Sequence, residues 1–199
     1  GVMAKEELFS GHHLAWLEPS GKDSDVVLAS RICLARNIQR VPFPNRADVS
    51  QLAEVTERAA SVLGDVEEAM EEPFDRVDMA QCTSLEKNVL VEKHLVSRKF
   101  LKNSTCRSAF ISNDRCMSIL VNEEDHLRIR AMAAGLDLET PFGKASRIDD
   151  VLEAQLDIAF DEKMGYLTSC PTNVGTGLKA SVMLHLPGLV YTENIGNII

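Results

Sequence analysis

A hairpin pattern that leads into NEEDHLRIR, residues 122–130, constrains the fold of this chain more than any other feature. Residues 108–112 and 116–121 are short apolar runs on either side of residues 113–115, which read Asn-Asp-Arg. This pattern predicts two antiparallel strands and a tight turn. An apolar strand would therefore run directly into three consecutive carboxylates, a histidine and two arginines, and would hold them at a fixed place.

If NEEDHLRIR continues as a strand, its side chains alternate between two faces. One face would then carry Asn122, Glu124, His126, Arg128 and Arg130, whereas the other would carry Glu123, Asp125, Leu127 and Ile129. The residues alone leave two interpretations open. The charged face is either a solvated surface with weak ion pairs, or the floor of a cleft where arginines hold anionic oxygens and a carboxylate accepts a proton.

The remaining patterns predict a single α+β domain over residues 1–199, with a largely antiparallel sheet and helices packed on it. The predicted elements are a helix over 4–17 and a linker to 24, a strand over 25–36, a helix over 48–70 with an Asp48 or Ser50 cap, a strand or short helix over 87–96, and a helix over 144–163 that Gly165 ends.

Composition narrows the class of partner. The net charge of -9 argues against nucleic acid and anionic membranes as partners, because both would repel the chain on average. The sequence contains no run of 18 apolar residues, so it predicts no transmembrane helix. The first residues lack the apolar core of a secretory signal. Five cysteines with no CxxC pair are typical of a reduced, cytoplasmic protein.

Three further segments carry candidate chemistry, each with a structural alternative. TSCPTNVGTGLK, residues 168–179, predicts a loop whose backbone N–H groups could face an anion, with Cys170 among hydroxyls; it is otherwise a tight turn around a small buried residue. Arg31 follows a predicted core strand, where ligands often bind, whereas Arg36 is expected to be an ordinary solvent-facing arginine. His94, in VEKHLV, is more typical of a satisfied core histidine.

Taken in order, DVVLASRICLARN, VEKHLV, VNEEDHLRI and YLTSCPTNVGTGLKASV resemble the catalytic domain of the ATP:guanido phosphotransferases. That family includes phosphagen kinases, which act on free guanidino compounds, and bacterial protein-arginine kinases, which phosphorylate arginine side chains. About thirty residues precede Arg31, fewer than the helical domain that phosphagen kinases carry there. The chain is more similar to the protein-arginine kinases, and the resemblance implies a glutamine-synthetase-like fold that continues beyond Ile199.

The resemblance also implies residue roles. Glu124 would be the base and clamp for the guanidinium, Glu123 would orient a magnesium-bound water with support from Asp125, and Cys170 would contact the guanidinium as a thiolate. The nucleotide-binding residues that it implies are Ser30, Arg31, Ile32, Cys33, His94, Arg128, Lys179, Ala180, Ser181, Val182 and Met183. Among these, Arg31 and Arg128 would hold phosphates and His94 would lie against the adenine.

Two positions depart from the family pattern. Cys33 stands where the family has a second arginine, and Lys179 stands where it has an arginine after the GTG loop. Lysine keeps the charge but lacks the bidentate fork. The expected function is transfer of the ATP γ-phosphate, with Mg²⁺, to arginine residues of proteins. The alternatives are a nucleotide- or partner-binding module impaired in catalysis and, more weakly, a free-arginine phosphagen kinase.

The partners that the resemblance implies are protein substrates with exposed arginines, an activator protein and Clp-type chaperone–protease components of the stress response. The resemblance leaves open whether the protein forms a homodimer.

Overall fold

The computed structural model describes residues 14–192, together with Phe9 and Gly196. Most of the helix predicted over residues 4–17 lies outside these residues, and within them Ala15–Leu17 form one 3₁₀ turn. Trp16 of this turn is buried. No helix in the described part of the chain is long and apolar enough to cross a bilayer.

Eight strands and five α-helices follow within the described residues. The strands are β1 (Val27–Arg36), β2 (Phe74–Asp78), β3 (Ser108–Ser112), β4 (Met117–Val121), β5 (Leu127–Ala134), β6 (Phe160–Asp161), β7 (Gly165–Tyr166) and β8 (Leu178–Leu184). The helices are α1 (Val49–Ser61), α2 (Leu63–Met70), α3 (Ser84–Glu92), α4 (Glu139–Gln155) and α5 (Pro187–Tyr191). Three further 3₁₀ turns are Met79–Gln81, Lys99–Lys102 and Pro171–Asn173.

One six-stranded sheet, in the order β2-β3-β4-β5-β1-β8, organises the domain, and β6 and β7 form a separate two-stranded ribbon. Every neighbouring pair in the large sheet is antiparallel. The predicted α+β class, with a largely antiparallel sheet flanked by helices, is therefore confirmed. The strand predicted over residues 25–36 and the hairpin on either side of residues 113–115 are also present as β1, β3 and β4.

The two faces of the sheet are covered differently. One face packs against α1, α2 and α4 in a large apolar cluster that includes Ile32, Val55, Ile129 and Ile148. On the opposite face, a second cluster that contains Leu90 of α3 covers only the β2–β4 half of the sheet. Within the described residues no α-helix covers the β5, β1 and β8 half of that face. The 3₁₀ turn of Trp16 packs there against Ala29 and Met132, and the rest carries the polar residues described below.

Two helix predictions need correction. The helix over residues 48–70 is divided at Val62 into α1 and α2, although Asp48 caps it as predicted, with its carboxylate accepting from Gln51 N at 2.9 Å. The helix over residues 144–163 instead runs from Glu139 to Gln155. Residues beyond it are extended, because Gln39 N donates to Asp157 O at 2.7 Å and binds this segment to the end of β1.

Gly165 does not end a helix, which corrects the predicted stop. It begins β7 with φ +81°, and a Cβ atom there would lie 2.5 Å from the carbonyl oxygen of Gly175. Only glycine allows this approach, because any side chain would collide with backbone that cannot move freely. The region of residues 87–96, left open as strand or helix, contains the end of α3.

The continuous strand expected through NEEDHLRIR is also wrong. β4 ends at Val121 and β5 begins at Leu127, so residues 122–126 form the turn between them, called the β4–β5 turn below. Asn122 adopts φ +62° and reverses the chain direction. Only Arg128 and Arg130 therefore share a sheet face, and Glu124 and His126 do not belong to it.

Candidate functional site

A row of polar side chains lies on the uncovered half of the sheet. Direct cross-strand partners point to the same side of an antiparallel sheet, so the register identifies the members of this face. This basic face, as it is called below, consists of Arg31 and Cys33 on β1, Arg128, Arg130 and Met132 on β5, and Lys179, Ser181 and Met183 on β8. Four of the eight side chains are cationic, in a chain that is acidic overall.

Cys33 stands at the centre of this face, between Arg130 of β5 and Lys179 of β8. Arg130 is buried, and its guanidinium donates to the carbonyl oxygens of His94 and Leu95 at 2.9 Å each. Burial lowers the pKa of Arg130, and the neighbouring Arg31 and Arg128 lower it further. An anion placed on the basic face would relieve this repulsion.

Two adjoining clefts open on the basic face, and both include Arg31 and His94. The smaller, of about 250 Å³, is lined by Ala29, Arg31, His94, Met132, Ser181, Val182 and Met183. The larger, of about 440 Å³, is lined by Arg31, Val91, Glu92, His94, Val96, Ser97, Arg98 and Arg130. The smaller cleft has mostly apolar walls, whereas the larger one carries three arginines. Together they suit a flat apolar group joined to an anionic group.

His94 lies between these clefts rather than in the core. It adopts φ +55°, and its ring stands edge-on to Trp16 with centroids 5.5 Å apart. Burial lowers the pKa of His94, and the positive charges of Arg130 and Arg31 lower it further. The imidazole is therefore mainly neutral at neutral pH and can offer a ring face.

Several residues of the predicted nucleotide motifs lie on the other side of the sheet. Ile32 belongs to the apolar core beneath the helices, and Ala180 is its cross-strand partner on β8. The Ser30 hydroxyl donates to Gly135 O at 2.8 Å and accepts from Asp137 N at 3.1 Å. These residues fix the strands that present Arg31 and Cys33. Val182 borders the smaller cleft.

The β4–β5 turn is fixed by buried hydrogen bonds. The Asn122 amide is 1% exposed and donates to the carbonyl oxygens of Leu52 and Cys106 at 2.9 and 2.7 Å. His126 is fully buried: its Nδ1 accepts from Ile38 N at 3.0 Å, and its Nε2 lies 2.9 Å from Pro42 O. Burial lowers the pKa of His126, so the ring is neutral, with Nε2–H donating to Pro42.

Asp125 connects this turn to the 168–177 loop. The carboxylate is 2% exposed, and Oδ1 accepts both from Asn37 Nδ2 and from Ser169 N, each at 2.7 Å. Ser169 directly precedes Cys170. The Cys170 sulfur lies 3.0 Å from the Thr172 hydroxyl and is half-buried. The two segments that the sequence singled out therefore meet at one buried carboxylate.

The adjacent carboxylates Glu123 and Glu124 have different surroundings. Glu123 is buried, receives a short hydrogen bond from the Ser97 hydroxyl, and pairs with Arg128 Nη1 at 2.6 Å. Burial opposes the charge on Arg128, but Glu123 and Cys33 together outweigh it and raise the pKa of Arg128. Glu124 is half-exposed and makes no hydrogen bond or ion pair with the residues that the structure describes. Glu124 is thus the carboxylate free to receive a ligand.

Arg36 is buried, and the prediction that it faces solvent is therefore wrong. It is 3% exposed, pairs with Asp149 at 2.6 Å, donates to Thr176 O at 3.0 Å, and lies 3.4 Å from the centroid of the Tyr166 ring. It supports the 168–177 loop from below. A Cβ atom on Gly177 would lie 2.5 Å from Arg36 Nη1, so the loop needs glycine there.

Residues outside the sequence predictions also contribute to the site. Ser97 and Arg98 line the larger cleft, and Ser97 holds Glu123. The sequence predicts Arg130 on a charged face without assigning it a role, and it assigns no role to Asn37. Strand alternation puts Arg130 on the same face as Arg128, two residues earlier, whereas the role of Asn37 depends on Asp125, 88 positions away.

Comparison with known proteins identifies the class that this fold and site define. Residues 54–199 match the ATP:guanido phosphotransferase, C-terminal catalytic domain. The chain belongs to the ATP:guanido phosphotransferase family.

Among the relatives, the chain is 45% identical over 202 residues to a protein-arginine kinase of Symbiobacterium thermophilum, covering 98% of this chain and 56% of that protein. It is 47% identical over 177 residues to a protein-arginine kinase of Caldanaerobacter subterraneus subsp. tengcongensis, covering 89% of this chain and 52% of that protein. The chain therefore spans about half the length of the curated relatives it matches.

Solved structures share the fold. The duplicated taurocyamine kinase from Schistosoma mansoni with bound transition state analog components superposes with a TM-score of 0.76 at 22% identity, covering 94% of this chain and 27% of that one. Lombricine kinase gives a TM-score of 0.71 at 24% identity, covering 92% and 54%. At this identity the likeness concerns the fold.

Proposed function

We propose that this chain carries the nucleotide site and the first guanidinium-binding carboxylate of a protein-arginine kinase. The reaction is transfer of the γ-phosphate of ATP to the guanidinium of arginine residues in proteins. One observation carries the proposal: Glu124 is a carboxylate without a partner among the described residues, on a rigid turn, and Glu123 of that turn is in direct contact with the basic face through Arg128. A site for a cation thus adjoins a site for an anion.

The two clefts suit the two ends of ATP. The adenine would enter the smaller cleft, against the neutral His94 ring and the apolar walls that include Met132 and Met183. The phosphates would lie in the larger cleft with Arg31 and Arg130. Phosphoryl transfer depends mainly on positioning and on charge around the transferred group, so a face of arginines supplies the main requirement.

Mg²⁺ fits this arrangement as an ion that arrives with the nucleotide. The described residues contain no group of three or more His, Cys, Asp or Glu side chains that could hold a metal by themselves. Magnesium usually binds through one or two carboxylates, several waters and substrate phosphates. Glu123, beside the larger cleft through its contact with Ser97, would hold such an ion through water. When bound, Mg²⁺ neutralises phosphate charge.

The guanidinium would lie between Glu124 and Cys170. An arginine nitrogen must lose a proton as its bond to phosphorus forms, and Glu124 is placed to accept that proton. Cys170 would make a second contact from the loop that Asp125 holds. Because the buried side chains of Asn122 and His126 fix the turn on both sides, Glu124 is positioned before substrate arrives.

Replacing Glu124 with Gln tests this proposal, because the side chain keeps its size and loses the charge. Acid-labile phosphate on casein, produced from Mg-ATP, is the quantity measured. We expect the variant to lose about 10²- to 10⁴-fold in rate, the usual contribution of a general base. Glu68→Gln, which removes an exposed carboxylate on α2, is the matched control and should keep the rate. Absence of acid-labile phosphate with the intact protein would overturn the proposal.

A second candidate function is nucleotide or partner binding without transfer. Cys33 favours it, because this buried thiol occupies the centre of the basic face between Arg130 and Lys179, where a further cation could hold phosphate. ATP binding without any phosphoarginine would support this candidate, and a gain of activity in Cys33→Arg would strengthen it. Phosphorylation of free L-arginine would instead indicate a phosphagen kinase.

Protein substrates are proposed from the names of the relatives. The activator protein, the Clp-type chaperone–protease components, a homodimer, the stress response and a cytoplasmic location stay predictions from the sequence.

A further inference from the structure

A third cleft, of about 410 Å³, lies away from the basic face, where α4 ends and the β6–β7 ribbon begins. The residues that line this acidic cleft are Glu153, Leu156, Asp157, Ile158, Phe160 and Tyr166. Its walls combine two carboxylates, two aromatic rings and two aliphatic side chains. The roles assigned above to the nucleotide and to the target guanidinium use none of these residues.

The charge around the acidic cleft favours a cation. Arg36 pairs with Asp149 at 2.6 Å and lies 3.9 Å from Glu153, whereas Asp150 and Asp157 form no ion pair within the described part of the chain. The guanidinium of Arg36 is thus shared by Asp149 and Glu153. Asp149 Oδ1 is buried and lacks a hydrogen-bond partner among the described residues. The last carbonyl groups of α4 add partial negative charge at the same place.

The same excess of negative charge affects the titration of the groups beside the cleft. Burial raises the pKa of Asp149, and the charges of Glu153 and Asp150 raise it further against the effect of Arg36. Burial and the hydrogen bond to Glu153 raise the pKa of Tyr166 to about 12. A bound cation would stabilise the ionised carboxylates here, whereas an anion would be repelled.

The aromatic walls favour a planar cation over a small ion. Phe160 is 56% exposed, and its ring lies 5.1 Å from that of Tyr166 at an interplanar angle of 73°. Tyr166 already stacks on Arg36, so one ring face at this place binds a guanidinium within the protein itself. Guanidinium groups stack on exposed aromatic rings and accept carboxylates at their edges. The exposed Phe160 ring offers a second such surface.

The acidic cleft lies close to Glu124. Residues 37–39 run between the two, because Asn37 and Ile38 bond Asp125 and His126 on one side, and Ile38 pairs with Ile158 on the other. The same short segment therefore joins the wall of the acidic cleft at Ile158 to the β4–β5 turn.

We propose that the acidic cleft binds the guanidinium of a second arginine in the protein substrate, on the same substrate segment as the arginine held at Glu124. The proposal rests on the proposed function for the position of the first arginine. It adds a reason for preferring substrates with clustered arginines. Phe160 would stack on the second guanidinium, and Glu153 and Asp157 would accept its N–H groups.

Peptide binding to the full chain, measured by calorimetry without nucleotide, tests this inference. The probe is Ac-Gly-Arg-Gly-Gly-Arg-Gly-NH₂, compared with two peptides in which one or the other arginine is replaced by citrulline, a neutral analogue of the same shape. We expect loss of one guanidinium to weaken binding by about fivefold, the effect of one stacked and ion-paired cation. The two-arginine advantage should disappear in the Glu153→Gln, Asp157→Asn double variant.

Two further variants separate the acidic cleft from general charge and from folding. Asp65→Asn with Glu68→Gln removes two exposed carboxylates on α2 and should keep the full advantage. Phe160→Ala changes an exposed side chain and should reduce the advantage by about two- to fivefold. A two-arginine advantage that survives in the Glu153→Gln, Asp157→Asn double variant and also in Phe160→Ala would overturn the proposal. Equal binding of all three peptides to the unchanged chain would overturn it as well.

The same experiment distinguishes the role of Glu124 from that of the acidic cleft. If both proposals hold, Glu124→Gln weakens all peptides, and the double variant abolishes only the two-arginine advantage. If single-arginine peptides bind through the acidic cleft and Glu124→Gln changes nothing, the acidic cleft stands and the proposed role of Glu124 is wrong.

Discussion

The β4–β5 turn and the 168–177 loop meet at Asp125, yet the protein holds them in opposite ways. In the turn, Asn122, Asp125 and His126 are all buried, and each bonds to backbone or amide groups of other segments. In the loop, Cys170 is half-buried, and the hydrogen bond described for its sulfur is with the Thr172 hydroxyl two residues away. The carboxylate side of the candidate site is therefore rigid, whereas the thiol side is held locally.

This difference suits the proposed chemistry. A general base acts best when its position is fixed before substrate binds, because reorganisation would add to the barrier. A thiol that contacts a large and variable protein substrate gains from a loop that can adjust. The contrast predicts that substitutions in the turn change stability strongly, and that substitutions beside Cys170 in the loop change it little.

The largest effect is expected for Asp125→Ala. The change removes the acceptor shared by Asn37 and Ser169 and leaves both donors without a partner. We expect the free energy of unfolding to fall by about 3 kcal/mol, because two charge-assisted hydrogen bonds are lost. Urea denaturation measures it. Asp150→Ala, at an exposed position on α4, is the matched control and should change stability by about 0.5 kcal/mol or less. Equal effects at both positions would refute the rigid-turn interpretation.

A smaller loss is expected for Asn122→Ala. The side chain donates to two buried carbonyl groups, and the residue adopts φ +62°, which alanine tolerates poorly. Thermal or urea unfolding should show a loss of about 2 kcal/mol. Asn122→Gly removes the same hydrogen bonds without the backbone strain, so it should lose less. A glycine variant as unstable as the alanine variant would assign the whole effect to the hydrogen bonds.

His126 should make stability depend on pH. Burial lowers its pKa in the folded state below the ordinary 6.5, so the unfolded chain binds the proton more readily. The contribution is complete above about pH 6.5 and is lost as the pH falls towards the folded-state value, with a slope of at most about 1.4 kcal/mol per pH unit.

The measurement is the free energy of unfolding across this range for the unchanged protein and for His126→Gln. The variant should show a flatter pH dependence because it has no imidazole to protonate. Parallel curves for the two proteins would contradict the assignment.

The smallest effect on stability is expected in the loop. Thr172→Val removes the hydroxyl beside the Cys170 sulfur at a solvent-exposed position. Stability should change by about 0.5 kcal/mol or less, as for most surface substitutions. The rate at which Cys170 reacts with iodoacetamide should change instead, because the hydroxyl lies 3.0 Å from the sulfur. A loss of stability comparable to that of Asn122→Ala would remove the contrast between the two regions.

Local patterns were enough to predict three strands of the sheet, β1, β3 and β4. The hairpin around residues 113–115 and the strand that became β1 were recognisable because apolar runs and turn residues act over a few positions. The helix after residue 138 was predicted with the wrong ends. Leu156 and Ile158 keep the apolar pattern going, but backbone bonds to residues 37–39 hold them in an extended conformation.

The sequence alone determined the antiparallel α+β architecture, the run of charges that follows the hairpin and the loop around Cys170, since these depend on neighbours within a short stretch of chain. Only the tertiary structure decided which charges are free. Arg36 is buried in an ion pair with Asp149, which lies 113 residues away in the sequence. Glu124 is available for a ligand because Glu123 is paired with Arg128, whereas Asp125 binds Asn37 and Ser169. A charge in a sequence has no environment until folding supplies its partners, and in this protein the partners come from distant segments.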